Sequence, residues 1–159
     1  MNRAVFCNVP APELILAFDF GTRRIGVAAG DTLTRTARPL TVVAVHGTVP
    51  WSDILRLVTD FTPTRLVVGL PCNMDGSETG MTEPARRFSE ELASRLHLPV
   101  HLVDERMSSR DAEAELKAAR ASGLMRKRVT HADVDRVAAK VILERWFAEQ
   151  PVSRLDGGT

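Results

Sequence analysis

LILAFDFGTRRIGVAAGD, residues 14–31, decides how this chain is read. Its first part, LILAFDF (14–20), is short and apolar around a single acid, as expected of a buried strand. Gly21-Thr22 turns the chain, and RIGVAAGD (24–31) reads as a second strand that stops at Gly30-Asp31. RPLTVVAV (38–45) is a third, rich in β-branched residues. Three strands with short links predict an antiparallel meander. Asp19 lies between Phe18 and Phe20, and because a strand alternates its faces it points away from both. A lone carboxylate in a buried strand is unfavourable unless something pairs with it. It either accepts hydrogen bonds from the backbone amides of the Gly21 turn or serves chemistry.

Downstream the pattern changes. PWSDILRLVTDF (50–61) places Ile54, Leu55, Val58 and Phe61 at helical spacing, with Ser52 as N-cap. RLVVGL (65–70) is another buried strand and PCNMDGSETG (71–80) a polar loop. Thr82 to His97 predicts a helix capped by Thr82, with Phe88, Leu92 and Leu96 as its apolar line and Glu91 and Arg95 paired on another face. VHLVDE (100–105) is a fifth strand. Ser108-x-x-Asp111 resembles a capping box opening a helix to about Ser122, ended by Gly123, and a last helix runs from about Ala132 to Glu149. A meander followed by strands alternating with helices predicts an α/β chain with a five-stranded mixed sheet, antiparallel then parallel, flanked by helices. This element order is that of the ribonuclease H-like fold.

The chain has 159 residues, the size of one domain. We read 1–12 as a flexible leader, 13–150 as the domain and 151–159 as a frayed tail. Apolar residues make up 44% and charged residues 26%, which excludes a disordered composition. The 21 lysines and arginines against 20 acids leave a net charge of +1, so any surface for a polyanion must be local. No apolar run is long enough to span a membrane, and no signal peptide is expected. Cys7 and Cys72 form no Cys-x-x-Cys, and the four histidines have no metal-site spacing, which excludes a disulfide scaffold and a cysteine-based zinc site and fits the cytoplasm. Cys72 reads as a buried free thiol.

Three acids could carry chemistry. Asp19 is the first. Asp104-Glu105-Arg106 follows the fifth strand, at the end where α/β sheets place their sites, although a surface Glu–Arg pair would read the same way. Asp135 begins a face of the last helix that continues through Ala138, Ala139, Ile142 and Trp146, and the two alanines would let that face approach the sheet closely. An acid there also suits the helix dipole, a role for which Asp133 is better placed. If Asp19, Glu105 and Asp135 converge, each pair about 5 Å apart repels by roughly 3 kcal/mol at an effective dielectric of about 20. Such a site must bind cations or keep protons. All-oxygen ligation suits Mg²⁺ or Mn²⁺, and two ions about 4 Å apart would activate a water and stabilise the leaving oxygen of a phosphodiester.

Four motifs in order, Asp19-Phe-Gly-Thr-Arg-Arg-Ile-Gly-Val-Ala, Val68-Gly-Leu-Pro-Cys-Asn-Met-Asp-Gly, Asp104-Glu-Arg-Met-Ser and Val134-Asp-Arg-Val-Ala-Ala-Lys-Val-Ile-Leu, resemble the YqgF family, also called RuvX, over roughly residues 14–148. That bacterial family is similar to Holliday-junction resolvases and is assigned to pre-16S ribosomal RNA cleavage. The resemblance implies a ribonuclease H-like fold, a cytoplasmic location and a divalent-metal nuclease that matures the 5′ end of small-subunit ribosomal RNA. It carries the family's acidic positions onto Asp19, Glu105 and Asp135, with Asp104 in support. The family's Gly-Leu-Pro-x-Asn-x-Asp-Gly loop falls on Gly69 to Gly76. The approach to the third acid departs from the family's Lys-x-Lys-Val-Asp. Here it reads His131-Ala-Asp-Val-Asp, with the basic cluster displaced to Arg126-Lys127-Arg128 and Arg136 after the acid.

Arg23, Arg24, Arg106 and the Arg126, Lys127, Arg128 cluster all lie beside the acids in sequence, an arrangement that suits an ion site rimmed by phosphate-binding cations, although each also reads as solvated loop charge. Asn73 and Asp75 either orient substrate or bond their own turn. Aromatics make up 5%, so any grip on nucleic acid is mainly of backbone and shape. The leading expectation is a metal-dependent nuclease of structured RNA, with four-way DNA junctions as the variant substrate and a homodimer as the form that would cut paired strands. An ATPase of the actin and sugar-kinase type, suggested by Asp-Phe-Gly-Thr, would need a second such domain. A non-catalytic RNA-binding assembly factor is the third reading.

Overall fold

The computed structural model describes residues 12–105 and 131–150. The expected 108–122 helix, Arg106, Arg126, Lys127, Arg128 and the tail lie outside these residues, as do the leader up to residue 11 and the side chain of Asp133. Among the described residues the chain runs β1 (Leu14–Phe20), β2 (Arg24–Asp31), β3 (Thr36–Ala44), α1 (Trp51–Phe61), β4 (Arg65–Leu70), α2 (Thr82–Leu96), β5 (Val100–Asp104) and α3 (His131–Glu149). The sheet order is β3-β2-β1-β4-β5, with β1–β2 and β2–β3 antiparallel and β1–β4 and β4–β5 parallel. This is the expected mixed sheet of a ribonuclease H-like fold. Among the described residues no helix is long and apolar enough to cross a membrane.

Alternation along β1 sorts the interior. Leu16 and Phe18 join Ile25, Val27, Leu66, Val68, Ile54, Phe88 and Leu92 on the face covered by α1 and α2. Ile15 and Ala17 join Ala28, Val67, Val103, Ala139, Ile142, Leu143, Trp146 and Phe147 on the face covered by α3. The Ala138 of the expected helix face belongs instead to a separate cluster with Val137. Every one of these side chains is fully or almost fully withdrawn from water, each contributing about 1.5–3 kcal/mol of transfer free energy if a large aliphatic or aromatic.

Helix termini depart from expectation. Neither α1 nor α2 receives a side-chain cap. Pro50 occupies the N-cap position of α1 and Ser52 lies inside its first turn, where Asp53 already meets the helix dipole. Met81 precedes α2, so Thr82 is a helical residue, fully buried. Its hydroxyl is taken by the preceding loop: it donates to the Pro71 carbonyl and accepts from the Thr79 N–H at 2.8 Å. Leu55 is 39% exposed, off the buried line of α1 that Ile54 anchors, because the α1 contact with the sheet is narrower than its apolar stripe. The Glu91–Arg95 pair forms as expected, at 3.6 Å. α3 has no basic residue in its own last turn; Arg35, at φ 55° in the β2–β3 turn, donates instead to the Phe147 and Gln150 carbonyls.

Candidate active site

Asp19 continues the α3-facing row of β1, after Ile15 and Ala17, and lies at the strand's C-terminal end. Its neighbours on both sides are glycines. Gly26 is its register partner on β2. On β4, Val68 pairs with Phe18, which sets Gly69 beside Asp19. Each glycine admits another element. A Cβ on Gly26 would stand 2.1 Å from the Asp135 carbonyl oxygen, so only glycine lets the first turn of α3 rest on β2 there. A Cβ on Gly69 would stand 2.0 Å from Glu105 Oε2 and 2.4 Å from Ile142 Cδ1. The Glu105 carboxyl thus lies over β4 and reaches toward Asp19 from beyond a strand that separates them. Its backbone is held there by the Glu105 N–H donating to the Leu70 carbonyl at 3.1 Å.

Asp19 and Glu105 meet in a side-chain hydrogen bond, which requires one of the two to carry a proton. Burial, the largest cause, pushes Asp19 up to about 7; the bond from Glu105 opposes this and the charge of Asp135 adds to it. Burial also leads in raising Glu105 to about 9, followed by the charge of Asp19, while Arg145 opposes the rise and Asp104 adds to it. The pair therefore holds protons well above the ordinary carboxylate range. Glu105 Oε2 is buried without a hydrogen-bond partner. A buried acceptor left over beside a carboxylate is suited to a cation.

Asp135 enters the same cavity from α3 but is held by a different partner. Arg24 Nε donates to its Oδ2 at 2.6 Å. The cavity, about 340 Å³, is lined by Asp19, Phe20, Gly21, Thr22, Arg23, Arg24, Pro71, Met81, Glu105 and Asp135. Among the described residues no three acids, histidines or cysteines stand close enough to hold one ion together. Convergence of the three acids is thus partial: a proton-sharing pair, and a third acid on the same wall bound to arginine. Asp19 and Glu105 offer hard oxygen donors and a spare lone pair, a donor set that fits Mg²⁺ or Mn²⁺ and not a soft ion.

The other expected site residues divide. Arg23 is exposed on the cavity wall, and Arg24 reaches it through Asp135. Asp104 ends β5, and its carbonyl accepts from Arg145. Asn73 is absent from the cavity wall. Its amide donates to Ser77 Oγ at 2.9 Å and to the Glu78 carbonyl, while Asp75 Oδ1 accepts from the Ser77 N–H, so both side chains bond their own turn. Cys72 is half-buried in that loop rather than buried, and its backbone forms an isolated antiparallel bridge with Glu78. Sequence reading overlooked Gly26, Gly69 and Arg145. A glycine inside an otherwise β-branched strand signals close approach of another group, and that cue was available at Gly69 in RLVVGL.

A family profile described as "RuvX: Holliday junction resolvase" matches residues 13–149. The chain is 44% identical over 142 residues to a protein of Azotobacter vinelandii named "Putative pre-16S rRNA nuclease", covering 88% of this chain and 96% of that protein. A protein of Edwardsiella ictaluri with the same name is 44% identical over 140 residues, covering 87% and 97%. Among solved structures, Thermus thermophilus RuvC in complex with a Holliday junction substrate aligns with a TM-score of 0.54 at 18% identity, covering 86% of this chain and 94% of that one. The yeast mitochondrial Holliday junction resolvase aligns with a TM-score of 0.51 at 12% identity, covering 90% and 80%. At these identities the structures speak for the fold.

Proposed function

The chain belongs to the RuvX family, a nuclease family, and from that premise we propose that it is a divalent-metal-dependent nuclease of structured RNA that processes the 5′ end of pre-16S ribosomal RNA in the cytoplasm. One observation carries the reading. Two carboxyls, Asp19 on β1 and Glu105 just past the end of β5, meet over Gly69 in an open cavity that also takes Asp135, Arg23 and Arg24. A fold that needed only stability would not gather three acids there, since each added charge raises the others' proton affinity.

The catalytic set is Asp19, Glu105 and Asp135, and Asp104 supports Glu105 from the end of β5. When bound, a divalent ion supplies charge neutralisation for these acids and Lewis-acid polarisation at the phosphodiester and its attacking water. Asp19 and Glu105 would hold it, and Asp135 would be available to it once released from Arg24. A ligating carboxyl oxygen must be unprotonated, so Glu105 would hold the ion as a carboxylate and binding would tighten as pH rises. Arg23, exposed on the wall, binds a phosphate next to the one cleaved. With aromatics at 5% of the chain, base stacking adds little and the RNA is held by backbone and shape.

The test is a cleavage panel of precursor ribosomal RNA, single strands and four-way DNA junctions, with Mg²⁺ or Mn²⁺ and with chelator. Precursor RNA is cut only with metal, and Asp19→Asn slows the cut on the order of 10³-fold, about 4 kcal/mol of activation free energy. Parental rates in the Asp19 variant would remove that residue from the mechanism. The description of the matching family favours a second reading, resolution of branched DNA, which requires two copies of the site and hence a homodimer. Paired cuts in the junction, with a dimer on sedimentation and no cleavage of precursor RNA, would select it.

A further inference from the structure

Arg24 and Asp135 are joined at 2.6 Å, with their side chains 37% and 25% exposed, across 111 residues of chain. Both backbones are fixed. Arg24 opens β2 and pairs with Ala44, and Asp135 rests on Gly26. The contact is therefore built by the fold, at the one of the three acids that an arginine side chain grips. Asp135 lines one cavity with Asp19 and Glu105, so three acids face the same space and a cation at Asp135 offsets their repulsion. A guanidinium and a divalent ion both answer that need, but they repel one another and draw on the same carboxylate.

We propose that Arg24 and a divalent ion compete for Asp135: Arg24 keeps the third acid away from the Asp19–Glu105 pair, and the ion must displace it to gain its third ligand. This rests on the metal-site reading above. It has a thermodynamic consequence. A substrate phosphate that draws Arg24 away also frees Asp135, so nucleic acid and ion bind with positive cooperativity, each strengthening the other by the same factor. Loading is then favoured where substrate is present.

Mn²⁺ titrations of the full chain by calorimetry, without nucleic acid, test the competition. Arg24→Met and Arg24→Gln are both used, in case one of them fails to fold. Either is expected to bind Mn²⁺ roughly tenfold more tightly than the parent, the equilibrium worth of one partly exposed ion pair plus a removed repulsion. Arg24→Lys, which keeps the charge, stays within about threefold of the parent, and Arg23→Met, which removes a cavity charge not bonded to Asp135, shifts by about twofold or less. Equal or weaker binding in the Arg24 variants overturns the proposal and makes Arg24 a positioning group for Asp135, leaving the metal site standing. Absence of Mn²⁺ binding in parent and variants alike overturns the metal site and this inference together.

Discussion

The two faces of the sheet are packed by different means. Toward α1 and α2 the interior is filled by large side chains, with Phe88 against Phe18, Phe20 and Trp51 at ring separations of 5.8, 4.8 and 5.6 Å. Toward α3 the β2 row reads Gly26, Ala28, Gly30, and β1 offers Ala17 before Asp19. Cβ atoms on Gly26 and Gly30 would collide with α3 or with β3, so this helix lies close to the strands. The small-residue face leaves a space at its end that carboxyls line. Size of side chain, more than hydrophobicity, separates the scaffold from the site.

That contrast can be broken on the scaffold side first. Phe88→Ala removes a ring that is 2% exposed and should destabilise by about 3–5 kcal/mol. Read by denaturant unfolding, it should shift the Mn²⁺ affinity of the folded protein by about twofold or less, since the ring packs on the opposite face from the acids and meets their cavity only through Phe20. A parallel loss of Mn²⁺ binding would mean the two faces are not independent.

On the site side, Gly69→Ala puts a methyl where Glu105 Oε2 and Ile142 now lie. Overpacking of this kind costs about 1–3 kcal/mol. Unlike the Phe88 change it should cut cleavage more than stability predicts, because the Glu105 carboxyl must move. Unfolding and single-turnover cleavage measured on the same preparation decide this; proportionate losses would reduce Gly69 to a packing residue.

The proton shared by Asp19 and Glu105 sharpens the comparison through pH. Both acids bind protons more tightly folded than unfolded. Metal-free folded protein thus holds more protons than the unfolded chain between the ordinary carboxylate range and about 9, and stability falls as pH rises through that window. Glu105→Gln removes the larger part of the dependence and should raise the melting temperature near pH 8 by about 2–4 °C, the shift expected for about 1 kcal/mol. Thermal scans in chelator from pH 5 to 9 measure it, and parallel curves for parent and variant would contradict the shared proton.

The smallest effect lies at the far end of α3. Arg35→Ala removes donors to the Phe147 and Gln150 carbonyls and should cost about 1 kcal/mol, with no change in cleavage. A larger loss confined to activity would tie the seating of α3 to the acid site.

Strands β1, β2 and β4 were legible in the chain to the residue, because strands covered on both faces must be apolar runs bounded by turn residues. So was the orientation of Asp19, which follows from alternation alone. Helix starts were not. Ser52 and Thr82 have the chemistry of caps, but Pro50 already begins α1 and the Thr82 hydroxyl is claimed by the Pro71 carbonyl and the Thr79 amide, contacts that exist only once the loop has folded. Asn73 and Asp75 were undecided between substrate and turn for the same reason, and the turn holds them.

Residue type and spacing by themselves determined the order of the described strands and helices, the mixed sheet and the three candidate acids, since periodicity and the unfavourable burial of charge are local properties. Only the tertiary structure decided how those acids are arranged: that Glu105 crosses β4 to Asp19, that Asp135 is bound by Arg24, and that burial raises the proton affinity of the first two. Those outcomes depend on which residues lie side by side in different strands. Glycines at 26 and 69 have no side chain, and their importance appears only when register brings Asp19 between them.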